Sequence, residues 1–173
     1  MPVPERISWA VDQLDVQPAD RFLEIGSGRG VAVELICRQL AGGHVLALDR
    51  SATATDAAAQ RNARYAAAGS ASFETVSLED VDLGEARFDK VFAINVNLFW
   101  TRAAGLELAA IKRALVPTGG LYLFYEPPSA SRGDEIAERV VPRLDAAGYA
   151  TQLVTGSTTK GASLLALISH VVT

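Results

Sequence analysis

The chain has 173 residues, 49% hydrophobic and 21% charged, with a formal net charge of −4. That length suits a single domain with a real core, and the composition is that of an ordinary globular protein. No block of basic residues marks a nucleic-acid footprint, no uncharged apolar run of about 18 residues marks a membrane span, and the lone Cys37 excludes an internal disulfide or a Cys-based zinc site.

The N-terminus, Met-Pro-Val-Pro-Glu-Arg, lacks the basic region and apolar core of a signal peptide, so a cytoplasmic location is expected. Residues 4–14 read as an amphipathic helix with Ile7, Val11 and Leu14 at helical spacing. A strand follows at 21–25, then a helix over 31–40 ended by Gly42-Gly43. Residues 44–48 form a second apolar strand that closes on Asp49. An Ala-rich helix is expected over 51–68, with Ser51 as N-cap and Gly69 as its stop. Strands at 72–76 and 88–94 come next, the latter nearly all apolar, as in a central parallel strand.

A helix over 103–115 is expected to close on Pro117-Thr118-Gly119-Gly120, followed by a strand at 121–125 that Pro127-Pro128 stops. Residues 134–147 read as a helix that Pro142 should kink or divide. The last strands, 149–155 and 163–172, are joined by a short turn and so predicted antiparallel. Strands alternating with helices and ending in a hairpin predict one α/β domain over 1–173: a doubly wound, mostly parallel seven-stranded sheet with an antiparallel C-terminal strand and helices on both faces.

The chemistry concentrates after the first strand. Phe22, Leu23 and Ile25 carry one acid, Glu24, and run into Gly26, Gly28 and Gly30. This is a buried strand entering a side-chain-free loop at a helix start, where a ligand approaches backbone amides. The spacing is G-x-G-x-G, not the G-x-G-x-x-G of dinucleotide-binding proteins.

Taken together, the motifs resemble those of the class I S-adenosylmethionine-dependent methyltransferases. Leu23-Glu24-Ile25-Gly26-Ser27-Gly28-Arg29-Gly30 is similar to the family's first motif, and Asp49 to the acid closing its second strand. Phe88-Asp89-Lys90-Val91-Phe92-Ala93-Ile94 resembles its fourth-strand motif, and Leu115-Val116-Pro117-Thr118-Gly119-Gly120 the stretch before its fifth strand.

The resemblance implies a methyltransferase with S-adenosyl-L-methionine as cofactor and S-adenosyl-L-homocysteine as product, the acceptor attacking the methyl group in line. It implies that Gly26, Ser27, Gly28 and Gly30 pack against the methionine part. Glu24 would hold the loop from below or reach the methionine amino group through water. Asp49 would accept hydrogen bonds from the ribose hydroxyls and Arg50 would flank the adenine. Ser77 stands where the family often has an acid, with Glu79 or Asp80 as its substitutes and the Leu78 backbone beside the adenine; Asn95 would lie at the methionine end.

Asn97, Trp100, Tyr125 and Glu126 are the candidate acceptor-side residues, and a small-molecule acceptor is expected. No residue stands out as a general base, and no His or Cys spacing suggests a metal. Asp89 reads as a strand-entry residue, Glu34 and Arg38 as a helix-surface pair, and His44, His170 and Cys37 as structural. Neither a membrane nor a nucleic-acid partner is expected. A homo-oligomer is left open, as is a lid formed by residues 1–14. Two other functions are weighed: a non-catalytic methyltransferase-like binding subunit, and an NAD(P)-dependent oxidoreductase, against which the glycine spacing and the closing hairpin argue.

Overall fold

The computed structural model describes residues 1–172. In chain order the elements are α1 (Glu5–Gln13), β1 (Arg21–Ile25), α2 (Val31–Cys37), β2 (His44–Asp49), α3 (Ala52–Arg61), α4 (Ala63–Ala67) and β3 (Ala71–Thr75). They continue as β4 (Phe88–Ile94), α5 (Leu98–Thr101), α6 (Gly105–Ala114), β5 (Leu115–Tyr125), α7 (Ala130–Ala146), β6 (Tyr149–Ser157) and β7 (Ser163–Val171). All seven strands join one sheet in the order β3-β2-β1-β4-β5-β7-β6. β1 to β5 pair in parallel, and β7 runs antiparallel to both β5 and β6. The doubly wound sheet expected from the alternation of elements is therefore present, with its antiparallel strand inside the sheet.

Alternation along each strand divides the core into two layers. Leu23, Ile25, Val91, Ala93, Leu121 and Leu123 face a cluster shared with Phe99, Leu108, Ile111 and Val140 from α5, α6 and α7. Phe22, Val45, Ala47, Phe92 and Phe124 face the other cluster, shared with Ala10 and Val11 of α1, Leu14 just after it, and Val33 and Ile36 of α2. The N-terminal helix is thus a packed core element. Its first residue, Glu5, also accepts hydrogen bonds from the Thr159 amide (2.6 Å) and hydroxyl in the β6–β7 turn.

Several boundaries differ from the sequence expectations, each for a local reason. The helix expected over 51–68 breaks at Asn62, whose φ of −105° and ψ of 20° leave the helical basin. Ser51 does cap it, accepting from the Ala54 amide at 3.2 Å. The turn expected at 117–120 is instead an irregularity within β5: Phe88 pairs with Leu115 and Lys90 with Gly120, so the four residues 116–119 stand opposite Asp89 alone. α7 begins at Ala130, not at 134, because Ser129 accepts from the Arg132 amide at 3.2 Å. Pro142 does not divide α7. Ile136, Val140 and Leu144 stay buried on one face across it, and that packing offsets the lost backbone bond.

Candidate functional site

Parallel strands direct their C-termini to one edge of the sheet, and ligands of such folds bind there, where strand order reverses between β1 and β4. A cleft of about 560 Å³ lies at that place. Its lining comes from the end of β1 and the glycine loop (Ile25, Gly26), the end of β2 (Leu48 to Arg50) and the segment after β3 (Ser77 to Glu79). The fourth side runs from the end of β4 into α5 and beyond, from Ile94 to Leu98 with Thr101 and Arg102.

The glycine loop owes its shape to its sequence. Gly26, Gly28 and Gly30 all have positive φ, at 70°, 53° and 73°. At Gly26 space is short as well, since a Cβ would sit 2.7 Å from Val96 Cγ2 across the cleft floor. The loop is sewn to β2 by Ser27 N–H donating to the Leu48 carbonyl (2.9 Å) and Gly28 N–H donating to Asp49 Oδ2 (2.9 Å). The other Asp49 oxygen accepts from the Ser51 amide at 2.9 Å. Each carboxylate oxygen carries two lone pairs, so this acid anchors the loop and the start of α3 and still has acceptor capacity facing the cleft.

Glu24 lies on β1 just below the loop, on the face it shares with Phe22, and is 3% exposed. Its Oε2 is buried with no hydrogen-bond partner. Burial, and then the nearby Asp49 charge, push its pKa up to about 8. Glu24 is therefore largely protonated at neutral pH.

Of the residues named from sequence, Gly26, Asp49, Arg50 and Asn95 line the cleft, as do Ser77, Leu78, Glu79 and Asn97. Ser27, Gly28 and Gly30 belong to the loop but not to that lining. The Ser77 hydroxyl donates to Asp80 Oδ2 (2.7 Å), while Glu79 pairs with Arg102. Asn95 holds a φ of 55° and ties two strand ends: its amide donates to the Phe124 carbonyl and its Oδ1 accepts from the Glu126 amide, both at 2.8 Å.

On the acceptor side only Asn97 of the named residues reaches the cleft. Its Oδ1 accepts from the Trp100 indole N–H at 3.1 Å, and the Trp100 ring meets the Arg132 guanidinium at 5.9 Å. Tyr125, expected on the rim, is buried among the α7-side core residues, where burial raises its pKa and its hydroxyl has no partner. Glu126 follows it outside the lining.

Thr101 and Arg102 line the cleft without having been named from sequence, and Asn62 supports the loop behind it. Arg102, paired with Glu79 and with Glu107 (2.9 Å), spans from the α5–α6 connection to the segment after β3. No motif marks it. Asn62 grips the glycine loop, and its signal was a poor helix former inside an Ala-rich run.

The residues read as structural have such surroundings. Asp89 accepts from the Arg21 amide at 2.8 Å, Glu34 pairs with Arg38 and Arg61, and His44 contacts the Gly69 carbonyl and Ser72 hydroxyl. Cys37 is buried, its thiol pushed up to about 11. Among the described residues there is no cluster suited to a metal, and no helix is long and apolar enough to cross a membrane.

A glycine loop set against a strand-end acid at the topological switch point defines a Rossmann-like ligand-binding α/β protein. The family model described as "Methyltransferase domain" matches residues 22–119, more than half of the chain. The chain belongs to the class I S-adenosylmethionine-dependent methyltransferases.

A curated relative, the protein-L-isoaspartate O-methyltransferase of Methylorubrum extorquens, is 34% identical over 126 residues. The match takes 72% of this chain, which spans only half of that relative's length. Among solved structures, a SAM-dependent methyltransferase from Aquifex aeolicus superposes with a TM-score of 0.76 at 14% identity, covering 96% of this chain and 89% of that one. A Burkholderia thailandensis 1,6-didemethyltoxoflavin-N1-methyltransferase, crystallised with 1,6-didemethyltoxoflavin and S-adenosylhomocysteine, gives 0.74 at 22% identity, covering 98% and 79%. At those identities the structures share the fold.

Proposed function

We propose that the protein binds S-adenosylmethionine in the cleft between the glycine loop and Asp49 and methylates a small-molecule acceptor. The observation that carries this is Asp49: one carboxylate at the cleft edge organises the loop through Gly28 and keeps lone pairs for a pair of vicinal hydroxyls. The side-chain-free surface at Gly26 accepts a ligand close to the backbone. Leu78 and Leu48 offer apolar contact for a flat base beside Arg50. Glu24, with an unpartnered oxygen under the loop, supplies an acceptor for a cationic amino group once it loses its proton.

The residues present thus fit the cofactor. When bound, it supplies a methyl group already activated on a sulfonium, so an acceptor attacking in line needs chiefly to be held in place. The chain's part is orientation and exclusion of water. Asn97, held by Trp100, and Leu98 present a mixed polar and apolar wall on the same cleft. That wall is concave and continuous with the cofactor side, which supports a small molecule over a flat macromolecular surface.

The test is transfer of labelled methyl from S-adenosylmethionine across a panel of small-molecule nucleophiles and protein substrates. Turnover of a small molecule, lost in an Asn97→Ala, Trp100→Ala double variant that still binds the cofactor, is the expected result. Turnover confined to proteins overturns the acceptor class. Cofactor binding with no transfer to any acceptor favours a non-catalytic binding subunit.

A further inference from the structure

Asn62, between α3 and α4, has no solvent exposure. Its Nδ2 donates to the Ala58 carbonyl at 2.9 Å and to the Gly30 carbonyl at 3.0 Å, 32 residues away in the chain. Two carbonyl oxygens at the contact fix the orientation of the amide, since the flipped form would aim Oδ1 at both. The arrangement costs the local structure: the helix breaks, and Oδ1 is left buried without a partner. Locally it returns little, because the Ala58 carbonyl already accepts from the Asn62 backbone amide at 3.0 Å. What it adds is the tie to Gly30.

Gly30 is where the glycine loop becomes α2. Its amide donates to the Ser27 carbonyl (3.1 Å), and its carbonyl also accepts from the Glu34 amide (3.2 Å), the first bond of the helix. A Cβ on Gly30 would meet Asn62 Nδ2 at 2.6 Å and Ala58 Cβ at 2.9 Å, so α3 lies directly against this end of the loop. The start of the loop is sewn to β2 through Ser27 and Gly28. Asn62 anchors its other end.

We infer that Asn62 is a positioning residue for the cofactor: clamped between the α3–α4 break and the Gly30 carbonyl, it holds the glycine loop in its binding shape without touching the ligand. The inference rests on the cofactor reading above. It extends the binding machinery to a residue outside the strand-end motifs.

The experiment is calorimetric titration with S-adenosylhomocysteine from pH 6 to 8.5, with the melting temperature of each protein recorded. The proteins are wild type, Asn62→Ala, Asn62→Asp and Leu144→Ala. Asn62→Ala should bind about tenfold more weakly. Asn62→Asp places a buried carboxylate against two carbonyl oxygens at high pH. As pH falls, the protonated acid donates one hydrogen bond back, so its affinity deficit relative to wild type should shrink. Leu144, fully buried on the core face of α7, is the control: Leu144→Ala should lower the melting temperature and keep wild-type affinity.

Asn62 variants that bind as wild type does, or an Asn62→Asp deficit that does not change with pH, overturn the inference. Should Asn62→Ala fail to fold, the pH-dependent recovery of Asn62→Asp decides alone. Wild-type protein that binds no S-adenosylhomocysteine overturns the cofactor reading and this inference with it. Binding by wild type and equally by the Asn62 variants overturns the clamp only.

Discussion

Glu24 is the residue where fold and function pull against each other. A carboxyl buried to this degree normally has every oxygen satisfied, yet its Oε2 has no partner. The stability consequence follows from its pKa, about 8 in the fold against 4.5 for an unperturbed side chain. Below pH 4.5 both folded and unfolded chains carry the proton. Between 4.5 and 8 the unfolded chain has lost it and the folded chain has kept it, so stability falls as pH rises, by up to about 1.4 kcal/mol per unit. Above pH 8 the decline from this group stops. Glu24→Gln should remove this slope and be more stable than wild type at pH 8, as read by chemical denaturation across the range. Parallel wild-type and variant profiles would show that Glu24 ionises freely in the fold. An acid kept buried under the glycine loop with an unpartnered oxygen is a cost to the fold.

At the scale of elements, the strands were legible because short, largely apolar runs bounded by Gly, Asp and Pro leave few alternatives, whereas their order in the sheet was not read from the sequence. The glycine loop was legible because three alternate glycines have few structural uses. Helix limits were less so, because they are set by caps and tertiary contacts. α2 stops at Cys37 rather than near Leu40 as Gln39 turns to bond the Ile36 carbonyl and Ala41 bonds Pro18. α7 starts a turn earlier than Asp134 because Ser129 caps it, a signal present in the sequence and passed over beside Pro127-Pro128. Ser129→Ala should therefore cost about 1 kcal/mol in urea denaturation with an unchanged m-value. No measurable loss would show that the cap contributes nothing. Of the candidate acceptor-side residues, Asn97 lies at the cleft. Tyr125 does not: β5 continues through it, pairing it with Leu165 of β7, so strand alternation sends it into the same core layer as Leu121 and Leu123.

Across the whole molecule, the two ends of the strand-C-terminal edge are built differently. At the cleft end, β1, β2 and β4 converge with a loop pinned from both sides by β2 and Asn62. At the far end, β6 runs parallel to β5, so its turn into β7 lies on that same edge and is tied there to the start of α1 through Glu5 and Thr159. The N-terminal helix is thereby both a core element and a border of the far end of the edge. The central claim is that the cleft between the glycine loop and Asp49 binds S-adenosylmethionine. Calorimetric titration of S-adenosylhomocysteine into wild type and Asp49→Asn tests it most directly. Wild type should give a 1:1 isotherm, and a folded Asp49→Asn, which loses the charged acceptor, an affinity lowered by at least about tenfold. Equal affinity for the two proteins would contradict it.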